Sequence, residues 1–157
     1  MSQLHVEASD VIDARPEEIY AVLSDYRVGH AAILPKPYFA EMTVLEGGKG
    51  AGTVFYLRME TFGTKVEYHS IVSEPEPGRV LAEADDAAGV ASTFTVEPLE
   101  GGEKSRVTIA TTMRRSPGVK GVVEGLVNPP FMRRLYHQEL RNLAEYVQGQ
   151  RTPANLN

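Results

Sequence analysis

The chain has 157 residues with 16 Lys and Arg against 21 Asp and Glu, a formal net charge of −5, which disfavours binding to a nucleic-acid backbone. It has no cysteine, which excludes disulfides and thiolate metal ligands and favours a reducing, cytoplasmic location. The length fits one domain with a substantial core, and no apolar run reaches the roughly twenty residues of a membrane-spanning helix. We therefore expect a cytoplasmic protein with no nucleic-acid partner and no stable membrane insertion.

The first forty residues predict one strand followed by short helices. Apolar and polar residues alternate over Leu4–Ser9, which predicts a strand from about Gln3 to Asp13 with one buried face. Pro16 and the two acids after it predict a helix start, because proline suits the first helical position and acids favour the positive end of the helix dipole. A second short helix is predicted over 27–34, ended by the prolines of 35–37.

From Tyr38 to Arg115 the pattern is that of an antiparallel sheet. Glycine and proline clusters recur about one hairpin apart and supply the backbone angles that chain reversals need, so five to six strands are predicted. Strict alternation places Phe55, Leu57 and Met59 on one face of their strand. Which face of the strand at residues 79–85 is buried stays open, because Leu81 and its apolar neighbours would lie on opposite faces.

The last forty residues predict a long helix. Two adjacent prolines at 129 and 130 predict a break at Asn128–Pro130, with a softer segment over 119–127 and a firm helix from about 130 to 147. Apolar residues recur at spacings of three and four along the firm helix. The predicted buried stripe comprises Phe131, Met132, Leu135, Tyr136, Leu140, Leu143 and Val147.

The stretch Val11–Tyr26 closely resembles the opening of the START-like (SRPBCC) superfamily, of the polyketide cyclase/dehydrase and lipid-transport type. Gly50–Thr53, Glu76–Arg79 and Arg134–Leu140 are also similar to family motifs. The resemblance implies an α+β helix-grip fold: a curved seven-stranded antiparallel sheet wrapped around a long C-terminal helix, with one or two short helices after the first strand. It implies a single such domain over residues 1–150, a disordered tail over 151–157, and a hydrophobic cavity between sheet and helix.

A set of aromatic, Met and Leu side chains, with one histidine, has two interpretations. The large apolar residues either fill a solid core or line a pocket for an apolar ligand; the residues alone favour a core, and the resemblance favours a pocket. In the second case the tyrosine hydroxyls would orient one polar end of the ligand. The predicted ligand-binding residues are Tyr26, His30, Tyr38, Phe55, Leu57, Met59, Tyr68, Phe94, Met113, Phe131 and Met132.

Acid–base chemistry has one candidate, His30, which we expect at the cavity mouth. His69 and His137 are predicted to face solvent. The acid pairs at 17–18 and 85–86 are adjacent and would point apart, so neither predicts a paired-carboxylate site, and no donor spacing typical of a metal site occurs. We expect neither a metal nor a cofactor.

The sequence therefore supports two functions and favours the first. One is a binding or carrier domain for a small hydrophobic ligand, lipid-like or polyketide-like. The other is a polyketide cyclase or hydratase type of enzyme that uses the same cavity. A buried polar pair within hydrogen-bond reach inside the pocket would favour the enzyme, and sequence spacing shows none. The oligomeric state stays open.

Overall fold

The computed structural model describes residues 3–61, 63–114 and 118–155, with side chains described over 129–150 of the last helix. The strands are β1 Gln3–Ile12, β2 Phe39–Glu46, β3 Val54–Thr61, β4 Thr64–Glu76, β5 Val80–Asp85, β6 Val90–Leu99 and β7 Lys104–Arg114. The helices are α1 Pro16–Ser24, α2 Gly29–Ile33 and α3 Gly118–Asn155, and a single 3-10 turn, Glu100–Gly102, joins β6 to β7.

All seven strands form one antiparallel sheet in the order β1-β7-β6-β5-β4-β3-β2. The chain runs as a meander from β2 to β7, and β1 lies beside β7, where Val6 pairs with Thr111. The helices α1 and α3 pack on the inner face of this sheet, and the core lies between them. This is the predicted α+β helix-grip fold, which the structure confirms.

The two short helices pack tightly against each other. Helix α1 begins at Pro16 with acids in its first turn and buries Ile19 and Leu23, as the sequence predicts. Helix α2 begins at Gly29, where an added Cβ would stand 2.7 Å from the Val22 carbonyl oxygen. Because such contacts essentially do not occur, a glycine is needed for α2 to approach α1 this closely.

The inner face of β5 is settled by Leu81, which is fully buried. Strand alternation then places Glu83 and Asp85 on the same face as Leu81. The Asp85 carboxylate accepts hydrogen bonds from the backbone N–H groups of His69, at 2.7 Å, and Ala88, at 3.0 Å. Asp85 thus closes the turn after β5, whereas the carboxylate of Glu83 is directed into the interior.

Helix α3 runs without interruption from Gly118 to Asn155, so the predicted break at Asn128–Pro130 is wrong. Each proline removes one amide donor, yet its φ of about −65° is helical and need not redirect the chain. Residues 151–155, predicted as a tail, continue the helical backbone. In the described part of the chain, no helix is long and apolar enough to cross a membrane.

The predicted stripe of α3 faces the sheet. Leu135, Tyr136, Leu140, Leu143 and Val147 are buried, and Phe131 and Met132 are half-buried. One residue of the stripe was not predicted: Glu139, with only 3% of its surface exposed.

Candidate functional site

A cavity opens between the inner face of the sheet and α3. Its volume is about 80 Å³. Eight of the eleven predicted ligand-binding residues line it: His30, Phe55, Leu57, Met59, Tyr68, Phe94, Met113 and Met132. The wall also contains residues that were not predicted: Leu34, Phe39, Met42, Ser70, Glu83, Val90, Ser92, Ile109, Thr111, Tyr136 and Glu139.

The structure places the other three predicted residues elsewhere. Tyr38 and Phe131 meet edge to face, with ring centroids 5.2 Å apart, and line an outer groove between α3 and the segment after α2. Tyr26 is fully buried in the core. Its hydroxyl donates a 2.6 Å hydrogen bond to Oε2 of Glu83, and Glu83 itself lines the cavity.

His30 lies inside the protein and not at the cavity mouth, which corrects the prediction. It is 2% exposed, because α2 turns its ring inward against the core. The ring stacks on Tyr26 at a centroid distance of 4.3 Å and meets the edge of Phe94 at 5.2 Å. The neighbouring rings and the core therefore hold the imidazole in one orientation.

The two ring nitrogens of His30 have different partners. Nδ1 lies 2.7 Å from the carbonyl oxygen of Leu23, and because a carbonyl only accepts, Nδ1 carries the donated proton. Nε2 lies 3.4 Å from Oε2 of Glu83, a distance typical of an ion pair. Since Nδ1 is already a donor, a favourable contact between Nε2 and the carboxyl requires a second proton on one of the two groups.

Tyr26 completes this group. Burial, and then the charge of Glu83, raise the pKa of the Tyr26 phenol well above its ordinary value, so the hydroxyl stays protonated and donates a hydrogen bond to Glu83. Hydrogen bonds and one ion-pair contact connect four polar groups inside the apolar wall: the Leu23 carbonyl, His30, Glu83 and Tyr26. We call the two central residues the His30–Glu83 pair, and Tyr26 supports this pair.

A second set of polar groups lines the cavity between α3 and the sheet. The hydroxyls of Tyr136 and Thr111 are hydrogen-bonded, and Thr111 is also 2.7 Å from the hydroxyl of Ser92. Burial is the main cause of a raised pKa at Tyr136, so its phenol stays neutral. These hydroxyls can exchange donor and acceptor roles, and together they can bind one oxygen or nitrogen of a ligand.

Glu139 lies on the same wall. Burial raises the pKa of its carboxyl well above the ordinary value, and the charge of Glu83 raises it further. Among the residues whose side chains the structure describes, none hydrogen-bonds to this carboxyl or forms an ion pair with it. Glu139 is therefore a buried acid that lines the cavity and has no partner among the side chains that the structure describes.

The remaining sequence predictions concern metals and exposed histidines. Within the described ranges, no group of three or more His, Asp or Glu side chains is placed to hold a metal ion. His69 is exposed on the outer face of β4, 5.4 Å from the Tyr56 ring. His137 is exposed on α3. Both histidines face solvent, as predicted.

Comparison with known families decides the classification. The model of the family described as polyketide cyclase / dehydrase and lipid transport matches residues 3–148. The chain belongs to this family. A comparison with curated protein sequences gives no match.

Several solved structures share the fold. The KanY protein, solved by NMR, is 31% identical, with a TM-score of 0.81 over 94% of this chain and 99% of its own. The Zhui aromatase/cyclase from a Streptomyces species is 19% identical, with a TM-score of 0.75 over 94% of both chains. A norcoclaurine synthase from Thalictrum flavum, in complex with a transition-state analogue, is 16% identical, with a TM-score of 0.69 over 96% of this chain and 97% of its own. The last two support the helix-grip fold alone.

The sequence analysis missed both acids that line the cavity, the buried Glu139 and the half-buried Glu83. Glu139 stands three residues after Tyr136 and four before Leu143, so it falls in the apolar stripe at helical spacing. Glu83 follows Leu81 at strand spacing. Neither was predicted, because charged residues normally face solvent. A charged residue at a position where the helix or strand pattern predicts an apolar one is nevertheless a signal of a site.

Proposed function

We propose that this protein binds a small hydrophobic molecule in the cavity and transforms it by proton transfer, in a cyclisation or a dehydration. The observation that carries the proposal is the His30–Glu83 pair within the apolar wall. A base and its acidic partner, held by further hydrogen bonds beside a cavity, are the arrangement expected of general acid–base catalysis. The description of the family, polyketide cyclase / dehydrase and lipid transport, includes these reaction classes and a carrier function alike.

The alternative is a carrier, which the sequence alone favours because spacing shows no polar pair. Burying ionisable groups is costly unless they are partnered, and a wall that only shelters an apolar ligand does not need them. The Nε2 of His30 lies 3.4 Å from Glu83, and both residues line the cavity. This geometry favours the enzyme over the carrier.

The chemistry needs one proton to leave carbon and one to reach oxygen. In a cyclisation, the pair removes a proton from a carbon beside a carbonyl group, that carbon bonds to a second carbonyl carbon, and the proton is returned to the new alkoxide. In a dehydration, the C–H proton passes to the pair, the hydroxyl leaves as water with a proton, and a C=C bond forms. The hydroxyls of Ser92, Thr111 and Tyr136 can hold the reacting oxygen.

The size and lining of the cavity limit the ligand. The cavity volume of about 80 Å³ is smaller than that of the usual small-molecule site, so a ligand has to displace side chains of the wall. Methionines at 42, 59, 113 and 132 can change rotamer at little cost and widen the space. We therefore propose a compact ligand of one or two rings.

Ser92→Leu is expected to weaken binding of the neutral fluorescent probe naphthylmethanol by about tenfold or more, because the larger side chain occupies the cavity and overlaps the probe. Ala91→Leu is the matched control, since Ala91 is exposed on the opposite face of β6. Fluorescence titration measures both affinities. Equal binding by wild type and Ser92→Leu would mean that the probe binds elsewhere, and no binding by wild type would count against a hydrophobic-ligand site.

A further inference from the structure

We propose that the ligand of this cavity carries a protonated amine, which pairs with the carboxylate of Glu139. The inference rests on the proposed function, because it takes the same cavity as the ligand site. It names the charge class of the ligand, which neither the fold nor the family determines.

The described wall is acidic. It contains two carboxyls, from Glu83 and Glu139, and among its described residues neither Lys nor Arg. Glu83 is already partnered by Tyr26, at 2.6 Å, and by His30, at 3.4 Å. Glu139 is 3% exposed and has no hydrogen bond or ion pair with any described side chain. A buried carboxyl that faces a cavity in this way has room for a donor from the ligand.

The other polar groups near the cavity do not fill that role. Tyr136, one turn before Glu139 on α3, is engaged with Thr111. The two imidazole nitrogens of His30, on α2, already contact the Leu23 carbonyl and the Glu83 carboxyl. Asp85, on β5, accepts backbone hydrogen bonds, and the phenol of Tyr68, on β4, has a pKa raised mainly by burial and stays neutral. None of these groups supplies a cation to Glu139.

An alkylammonium group suits this position. It would donate a charge-assisted hydrogen bond to the carboxylate, about twice as strong as a neutral one, and the flat apolar part of the ligand would lie against Phe55, Phe94 and Tyr68. Aromatic faces also attract cations. A carboxylate or phosphate on the ligand would find no Lys or Arg to pair with among the described residues of the wall, so the cost of removing it from water would not be offset.

Pairing of Glu139 with an amine should release a proton that can be measured. The raised pKa of Glu139 means that the empty protein keeps a proton on this carboxyl, whereas the ion pair needs the carboxylate. Binding of the ammonium therefore releases a proton. The affinity for the amine should rise as pH increases through the raised pKa of Glu139, up to the point where the amine itself loses its proton, near the ordinary pKa of an alkylamine, about 10.

Three probes of one shape test the proposal: naphthylmethylamine, naphthylmethanol and naphthoate. Wild type is expected to bind the amine about tenfold or more tightly than the alcohol, and the carboxylate weakest. Glu139→Gln should lose that preference and keep its affinity for the alcohol. Titration calorimetry in two buffers of different ionisation enthalpy should detect release of about one proton with the amine and none with the alcohol.

Glu145→Gln is the matched control, because it removes the same charge from an exposed position of α3 and should leave all three affinities unchanged. Binding of the alcohol as tightly as the amine, or an amine preference that persists in Glu139→Gln, would overturn the amine inference and leave the proposed function standing. Failure of all three probes to bind would contradict both.

Discussion

Replacing His30 with glutamine is expected to lower the rate at which the protein opens nitrobenzisoxazole by about 10²–10⁴-fold, the usual contribution of a positioned general base. In this reaction a base removes the ring C–H proton, the N–O bond breaks, and a coloured cyanonitrophenolate forms. The probe is a compact aromatic molecule that suits the apolar part of the cavity wall. The imidazole of His30 has Nδ1 held by the Leu23 carbonyl and Nε2 directed to Glu83, so we propose that the two groups take up the substrate proton together.

His69→Gln is the matched control, since His69 is exposed on the outer face of the sheet and should leave the rate unchanged. Glu83→Gln should also lower the rate, and the double variant His30→Gln with Glu83→Gln should lose little more than the worse single variant, because the two residues act as one unit. Circular dichroism verifies that each variant is folded. Unchanged turnover in His30→Gln would exclude its role as base, and a wild type no faster than buffer would support the carrier.

Replacing Glu139 with methionine is expected to raise the free energy of unfolding by about 1–3 kcal/mol at neutral pH, the usual cost of a buried polar group without a partner. Methionine has a similar length and no polar atom, so the helix keeps its packing. The buried position, 3% exposed, makes this the largest stability gain that we expect from one substitution. Urea denaturation of wild type and variant measures it.

The gain should depend on pH. Burial raises the pKa of Glu139 in the folded state, so between the ordinary carboxyl pKa, about 4.3, and the raised one the folded protein holds a proton that the unfolded chain has lost. Stability of the wild type therefore falls as pH rises through that window, and the advantage of Glu139→Met grows from about pH 4 upward. Glu145→Met, at an exposed position, should change stability by no more than about 0.5 kcal/mol at any pH. A pH-independent advantage, or a loss of stability in Glu139→Met, would show that the carboxyl has a partner.

The sequence predicted the framework because local patterns determine it. The alternation of Leu4 to Ser9 and of Phe55 to Met59 sets which strand face is buried, and Pro16 with its following acids marks the start of α1. These signals depend on neighbours within a few residues. The break at Asn128–Pro130 was predicted wrongly because a local rule about proline was applied where the helical backbone continues through both rings.

The chemistry of the site was predicted only in part, because it depends on packing between distant segments. Periodicity predicted the apolar residues of the cavity wall. It could not predict that His30 is buried, because that burial depends on the close approach of α2 to α1 at Gly29. The His30–Glu83 pair joins residues 53 positions apart in the chain, and no spacing rule connects them.

Inhibition of nitrobenzisoxazole opening by naphthylmethanol shows whether the proton-transfer group and the ligand cavity are one site. We expect full competitive inhibition, with an inhibition constant equal to the dissociation constant from fluorescence titration, and loss of that inhibition in Ser92→Leu. A rate that persists at saturating naphthylmethanol would place the base outside the cavity and refute the proposed function.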